Sequence, residues 1–159
     1  MTGCGFGAGT HGSIKAYHYP VTKSVLEKAV MTVLETKTNV FRDTIRNYMI
    51  DVTNGKNDTI ENNYYNDGKN YLTIHIKTLD NLIDYTFRYL GDSLSWSSSP
   101  ASEIFICYIY DEKGNGGSEG NGKWEKTSSS KQTVMINLFE TEFIDKIDKE
   151  LNIKHLETN

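Results

Sequence analysis

The sequence predicts an α+β fold: a two-layer sandwich in which a mostly antiparallel sheet of four to five strands carries two helices on one face. Three observations predict it. Patterned segments follow one another in the order strand, helix, four strands, helix. Short connections between the middle strands favour antiparallel pairing over parallel crossovers. Each helical segment has a single apolar stripe, so each has one face to bury, and one side of the sheet can receive both. A chain of 159 residues suffices for one domain with its own core.

Residues 14–19, Ile-Lys-Ala-Tyr-His-Tyr, alternate and are Tyr-rich, which suits a strand that Pro20 ends. The first helix follows, with Thr22 or Ser24 as its cap and Ser24 and Glu27 at capping-box spacing. Val25, Leu26, Ala29, Val30, Val33 and Leu34 form its stripe, and it should end between Thr36 and Asn39. Residues 47–52 alternate, with Tyr48, Ile50 and Val52 on one face, then break into a turn rich in Asn, Gly and Asp. Residues 61–70 read as polar turn. Strand 71–77 puts Leu72, Ile74 and Ile76 on one face, and strand 82–90 does the same with Ile83, Tyr85, Phe87 and Tyr89. With only 78–81 between them, these two should form a hairpin. A Ser-rich loop with Trp96 and Pro100 leads into the most apolar strand, 103–111. Residues 111–130 read as a long Gly, Asn and Ser loop carrying Trp124. A second amphipathic helix, from about 131 to 151, closes the chain, with Met135, Leu138, Phe139, Glu142, Phe143, Lys146, Ile147 and Leu151 on a mainly apolar stripe.

Charge excludes whole classes of partner. The net charge is -4 and the 17 Lys and Arg are scattered, whereas nucleic-acid binding requires them clustered against phosphate. A basic membrane-binding patch is absent for the same reason. No run of about 18 apolar residues exists to span a bilayer. Of the two cysteines, Cys107 sits inside an apolar strand and is expected as a buried free thiol, while Cys4 lies in a Gly-rich leader.

That leader identifies a location. Thr2-Gly3-Cys4 resembles the last three positions of the lipobox of bacterial lipoproteins, whose Cys becomes the lipidated first residue of the mature protein. The resemblance is to small α+β lipoproteins of Gram-negative bacteria, particularly the Bacteroidetes type, and it rests on this corner of the chain alone. It implies lipid attachment at Cys4, an address in the cell envelope on the periplasmic or surface side of the outer membrane, and a basic, apolar signal segment upstream of Met1. Residues 5–13 hold four glycines, as a spacer between a lipid and a folded unit should, with a reach of roughly 15–20 Å. The organisation expected is therefore a tether, 1–13, and one α+β domain, 14–155.

Several local patterns imitate known chemistry and fail on context. Gly7-x-Gly9-x-x-Gly12 matches a dinucleotide fingerprint, but a strand follows it where a helix must open. Gly117 to Lys123 matches the first seven positions of a phosphate-binding loop, but Trp124 stands where the magnesium-binding hydroxyl belongs. Asp111-x-Lys113-x-Asn115-Gly116 echoes a calcium loop with a lysine in place of a ligand. His11, His18, His75 and His155 lack metal spacing, although folding could bring His75 towards Cys107. No metal, nucleotide or other cofactor is therefore expected.

Ten tyrosines remain to be explained. Strand propensity accounts for many. If the helices cover one face of the sheet, the other could present Tyr17, Tyr19, Tyr71, His75, Lys77 and Arg88, with Trp124 on a neighbouring loop, and Tyr and Arg are what interfaces enrich. The expectation is a non-catalytic, lipid-anchored binding domain with a protein partner, of the kind that immunity proteins, inhibitors or accessory subunits of surface complexes represent. The rival is a periplasmic enzyme with a site assembled from separated residues between the Trp96 and Trp124 loops.

Overall fold

Alternation of apolar residues builds the sheet, and the longest strand organises it. The computed structural model describes residues 14–42, 48–51, 58–61, 71–118 and 124–157. The central strand, β7 (Ser102–Asp111), pairs along one side with β6 (Leu82–Tyr89). Its other side is shared: the first half pairs with β1 (Ala16–Tyr19) and the second with β8 (Gly116–Ser118). Beyond β6 lie β5 (Tyr71–Lys77) and the short β2 (Val40–Arg42). Beyond β1 lies β10 (Leu156–Glu157), and beyond β8 lies β9 (Trp124–Glu125). Every one of these pairings is antiparallel. The two-layer α+β sandwich is thus formed as the patterning dictates. The sheet is wider than the expected four to five strands because four short strands add to it at its edges.

The 71–77 and 82–90 hairpin forms with Tyr71 opposite Arg88 and Lys77 opposite Leu82. The strand expected at 47–52 does not join this sheet. Its β3 (Tyr48–Asp51) pairs instead with β4 (Asp58–Glu61) in a separate two-stranded ladder, where the sequence reading had no second strand. The edge of β5 that it could have joined is taken by β2.

The helices lie on one side. Helix α1 (Lys23–Thr36) buries Leu26, Ala29, Val30 and Val33, while Val25, expected on the same stripe, is exposed. The Ser24–Glu27 capping box does not form. Thr22 is the N-cap without a side-chain capping bond to a backbone N–H, its hydroxyl lying instead 3.2 Å from Ser24 Oγ, and Glu27 pairs with Lys23 at 2.8 Å, one helical turn away.

The C-terminal helix is not continuous either. It runs as α3 (Ser129–Phe139), a π-helical turn (Glu140–Ile144) and α4 (Asp145–Leu151), ending at Asn152 with a left-handed φ of 53°. The spacing of its buried residues explains the interruption. Met135, Phe139, Phe143 and Ile147 are each four apart and all buried; in an ideal α-helix that spacing drifts by about 40° per step. A wider turn in the middle brings Phe143 and Ile147 back over the sheet.

Between the layers sits an aromatic core. Tyr17, Tyr19, Tyr85, Tyr89, Phe87, Phe139 and Phe143 are all fully buried there. This overturns the expectation that Tyr17 and Tyr19 face solvent. In β1 the alternation runs the other way, with Ala16 and His18 outward and both tyrosines under the helices. Each phenol reaches an acidic partner on the C-terminal helix: Tyr17 Oη donates to Glu140 Oε1 at 3.1 Å and Tyr19 Oη to Asp148 Oδ1 at 2.9 Å. Burial, aided by those carboxylates, pushes both phenols far up, so they remain neutral donors. Asp148 also binds His155 through its backbone N–H (3.3 Å) and Nδ1 (2.9 Å), which fastens the tail to α4. Tyr19→Phe should therefore cost about 1.5–3 kcal/mol, the range for a hydrogen bond to a charged group. Urea denaturation checks it, and an unchanged midpoint would mean the bond contributes nothing.

Candidate functional site

Opposite the helices, the outward residues of β5, β6 and β7 form cross-strand rows on the other face of the sheet. Phe41, His75, Asp84 and Tyr110 make one row; Thr73, Thr86 and Tyr108 the next; Tyr71, Arg88, Phe105 and Ala16 the third. No described helix covers this face. Tyr71, His75, Lys77 and Arg88 come together on it as expected, whereas Tyr17 and Tyr19 do not. Trp124 is elsewhere: on β9, half-buried against the core, its indole lies over Gly117 of β8, where an added Cβ would stand 2.7 Å from the ring. Cys4 and its tether lie outside the described residues.

Individual side chains on this face are held in place. His75 Nδ1 shares a 2.6 Å hydrogen bond with Asp84 Oδ1 directly opposite, and its ring stacks on Phe41 at 5.2 Å. Thr73 and Thr86 bond across the strands at 2.9 Å. His75 and Cys107 do not meet, because β6 lies between their strands and sets them about two strand spacings, or ~10 Å, apart. Cys107 is a buried thiol at the bulge where the β6–β7 register shifts, and its Sγ contacts the Phe105 carbonyl at 3.8 Å.

Arg88 differs from its neighbours. Its guanidinium lies 5.4 Å from the Tyr71 ring centroid and 4.9 Å from that of Phe105, so it is gripped by two aromatic rings. It donates one bond, to Tyr71 Oη at 3.2 Å, and its buried Nε–H has no acceptor. Among the described residues it has no carboxylate partner. A cation positioned this way has spare donors in a fixed fork.

A cavity lies at one end of β1 and β7, beyond these rows. Its volume is about 400 Å³, and Leu90, Trp96, Ala101 and Leu156 form its apolar walls, with His18 and Glu103 facing each other across adjacent strands. Helix α2 (Ser93–Ser98) supplies the outer wall. It forms inside the Ser-rich stretch because Asp92 caps it, accepting from the Leu94 and Ser95 backbone N–H groups at 3.1 and 2.9 Å while Ser95 Oγ accepts from the Asp92 N–H at 2.7 Å. Trp96 is locked by its Nε1–H to the Leu90 carbonyl, 2.8 Å, and Lys23 Nζ rests 4.7 Å from its ring centroid. Sequence reasoning places a pocket at the Trp96 and Trp124 loops; Trp96 lines this cavity, Trp124 does not, and the rest of its wall was not foreseen. The one available signal was Asp92-x-x-Ser95, which has the spacing of a cap.

The imitated motifs have structural roles where they are described. Gly117 and Ser118 belong to strand β8, with the rest of the phosphate-loop match outside the described residues. The calcium-loop echo is a turn organised by Asp111, whose carboxylate accepts from the Lys113 and Asn115 backbone N–H groups and pairs with Lys131. Burial works against the charged Asp111, but these donors outweigh it and hold its carboxyl far below the usual range. Among the described residues, no group of three His, Cys, Asp or Glu side chains is placed to hold a metal, and no helix is long and apolar enough to cross a membrane. Comparison with known protein families, curated proteins and solved structures gives no match to this chain.

Proposed function

We propose that this protein is a non-catalytic binding domain of the bacterial cell envelope, attached to the membrane through a lipidated Cys4, which engages a protein partner with the helix-free face of its sheet. Arg88 carries the reading. A guanidinium clamped between Tyr71 and Phe105, with no carboxylate partner among the described residues, is preorganised for a partner's carboxylate and loses little conformational freedom on binding. Arg and Tyr at the centre of a rigid surface are also the residue types that dominate binding energy. The neighbouring Lys77 is exposed at the edge of the same face and adds positive charge at the rim. The four glycines among residues 5–13 support the attachment, since that is the composition of a spacer between a lipid and a folded unit.

Two measurements on the full gene product in cells test the two halves. Clickable palmitate should label the wild type and fail to label Cys4→Ala; an unlabelled wild type refutes the anchor. A photo-crosslinking residue at Lys77 should trap one discrete partner. Arg88→Ala should weaken the purified complex at least about tenfold, as loss of an interface anchor does. Equal binding by Arg88→Ala refutes the surface.

A further inference from the structure

Glu103 stands in the wall of the 400 Å³ cavity without compensation. Its side chain is only 16% exposed, and the nearest positively chargeable group, His18 Nδ1, is 3.9 Å away, beyond hydrogen-bond reach. Among the described residues no N–H or O–H donates to its carboxylate, although its backbone carbonyl is engaged by the Leu90 N–H. A carboxylate stripped of water and denied donors is destabilised, and burial accordingly pushes its pKa up, with His18 pulling it part of the way back. The other carboxylate at the cavity, Glu157, is bound to Lys15 at 3.2 Å. No lysine or arginine lines the cavity among the described residues. The rest of the wall is mainly apolar and its donors are engaged: the Trp96 N–H by the Leu90 carbonyl, and the Ser95, Ser99 and Ser102 hydroxyls by the Asp92, Ala101 and Val21 carbonyls.

We infer that this cavity binds a small organic cation, a primary ammonium group on an apolar chain or ring, with the ammonium against Glu103 and the apolar body along Leu90, Trp96 and Leu156. The volume lies in the range of about 300–1,000 Å³ usual for small-molecule sites. An ammonium brings three donors to a carboxylate that has none, forming charge-assisted bonds in a poorly solvated place where they are strongest. Much of the cost of desolvating Glu103 is already incurred in the free protein, so it does not oppose binding. An anion of the same shape meets repulsion, and a neutral alcohol offers one donor and no charge. The inference is independent of the partner surface at Arg88 and survives its failure.

The test titrates octylammonium and 2-phenylethylammonium into the full chain by calorimetry or NMR, beside octanol and octanoate. Saturable one-to-one binding of an ammonium, at least about tenfold tighter than octanol and with no measurable binding of octanoate, is the expected result. Glu103→Gln keeps the shape and should lose at least about tenfold in affinity; Ala101→Trp should fill the cavity and remove binding, and serves as the decisive variant if Glu103→Gln fails to fold. Val134→Ala, exposed on α3 and away from the cavity, should bind as wild type. Absence of binding, equal binding of octanoate, or wild-type affinity in both cavity variants overturns the inference. So does tighter binding of a short lysine peptide than of the free amines, which would assign the cavity to a partner's side chain.

Discussion

Phe139→Ala is expected to lower the free energy of unfolding by about 3–5 kcal/mol, the upper range for large-to-small changes in a core. Phe139 is fully buried and lies against four rings: Tyr85 at 5.0 Å, Phe143 at 5.2 Å, Tyr17 at 5.9 Å and Phe87 at 6.1 Å between centroids. Those rings belong to β1, β6 and the π-helical turn, three elements with separate anchors. Tyr17 is tied to Glu140 and Tyr85 Oη donates to the Met135 carbonyl at 2.8 Å, so neither phenol can swing into the space without losing a buried bond. A site that cannot collapse retains its cavity, and the cavity adds to the lost transfer energy. A domain of this size has only about 5–15 kcal/mol of stability in total, so the variant should sit near the edge of folding. Urea denaturation of Phe139→Ala beside the exposed control Val134→Ala, expected within about 0.5 kcal/mol of wild type, makes the measurement. A loss below about 1.5 kcal/mol would mean that the aromatic core repacks freely, against the geometry described.

The same rings show where sequence patterning succeeds and where it stops. Alternation at 71–77 and 82–90 marks two faces, since one face of each strand is wholly Leu, Ile, Phe or Tyr and the middle of the other holds Thr, His, Asp or Arg, with Tyr71, Lys77, Leu82 and Leu90 at its ends. In 14–19 the contrast is weaker. Tyr17 and Tyr19 oppose Ala16 and His18, and an amphipathic Tyr is compatible with either side. What decides is the pairing of their hydroxyls with Glu140 and Asp148, more than 120 residues away in the chain, which no local pattern carries. Helix boundaries fail for a related reason. The four-residue spacing of Met135, Phe139, Phe143 and Ile147 reads as one amphipathic stripe, and only its cumulative drift points to a wider turn.

The candidate site divides along the same line. Tyr71, His75, Lys77 and Arg88 were assigned to one face because period two assigns them. Beyond Trp96 the cavity was not visible because its walls come from β1, the end of β6, α2, β7 and the tail, and Leu156 meets His18 only through a strand pairing of two residues. Chemistry at Glu103 is equally non-local, being defined by the absence of donors around it. A carboxylate in an alternating strand gives no sign of whether water or Leu90 will stand beside it.

Gly116 carries the second large effect, in a region that composition alone describes as loose. Gly116→Ala should destabilise the protein by at least about 3 kcal/mol, at the top of the range for overpacking. A Cβ there would collide with the Ile109 carbonyl oxygen and stand 2.8 Å from Tyr110 Cα. Both obstacles are backbone of the central strand, so no side chain can yield; β8 must move away from β7 or the strand must bend. Leaving β7 breaks the pairing of Gly116 with Tyr110 and of Ser118 with Tyr108, and it removes the floor on which Trp124 rests. Gly114, two residues earlier, separates steric contact from backbone preference. Its φ of 73° is left-handed and nothing stands within 4 Å of an added Cβ, so Gly114→Ala should cost only about 1–2 kcal/mol and Gly114→Asn less. In a Trp96→Phe background, Gly116→Ala should also shift Trp124 emission towards that of solvated indole, whereas Gly114→Asn should not. Equal losses for the two alanine variants would show that backbone conformation rules this turn. A much larger loss at Gly116 would show that the Gly-rich stretch after β7 is built for close approach, which places these glycines in the sheet rather than in a flexible loop.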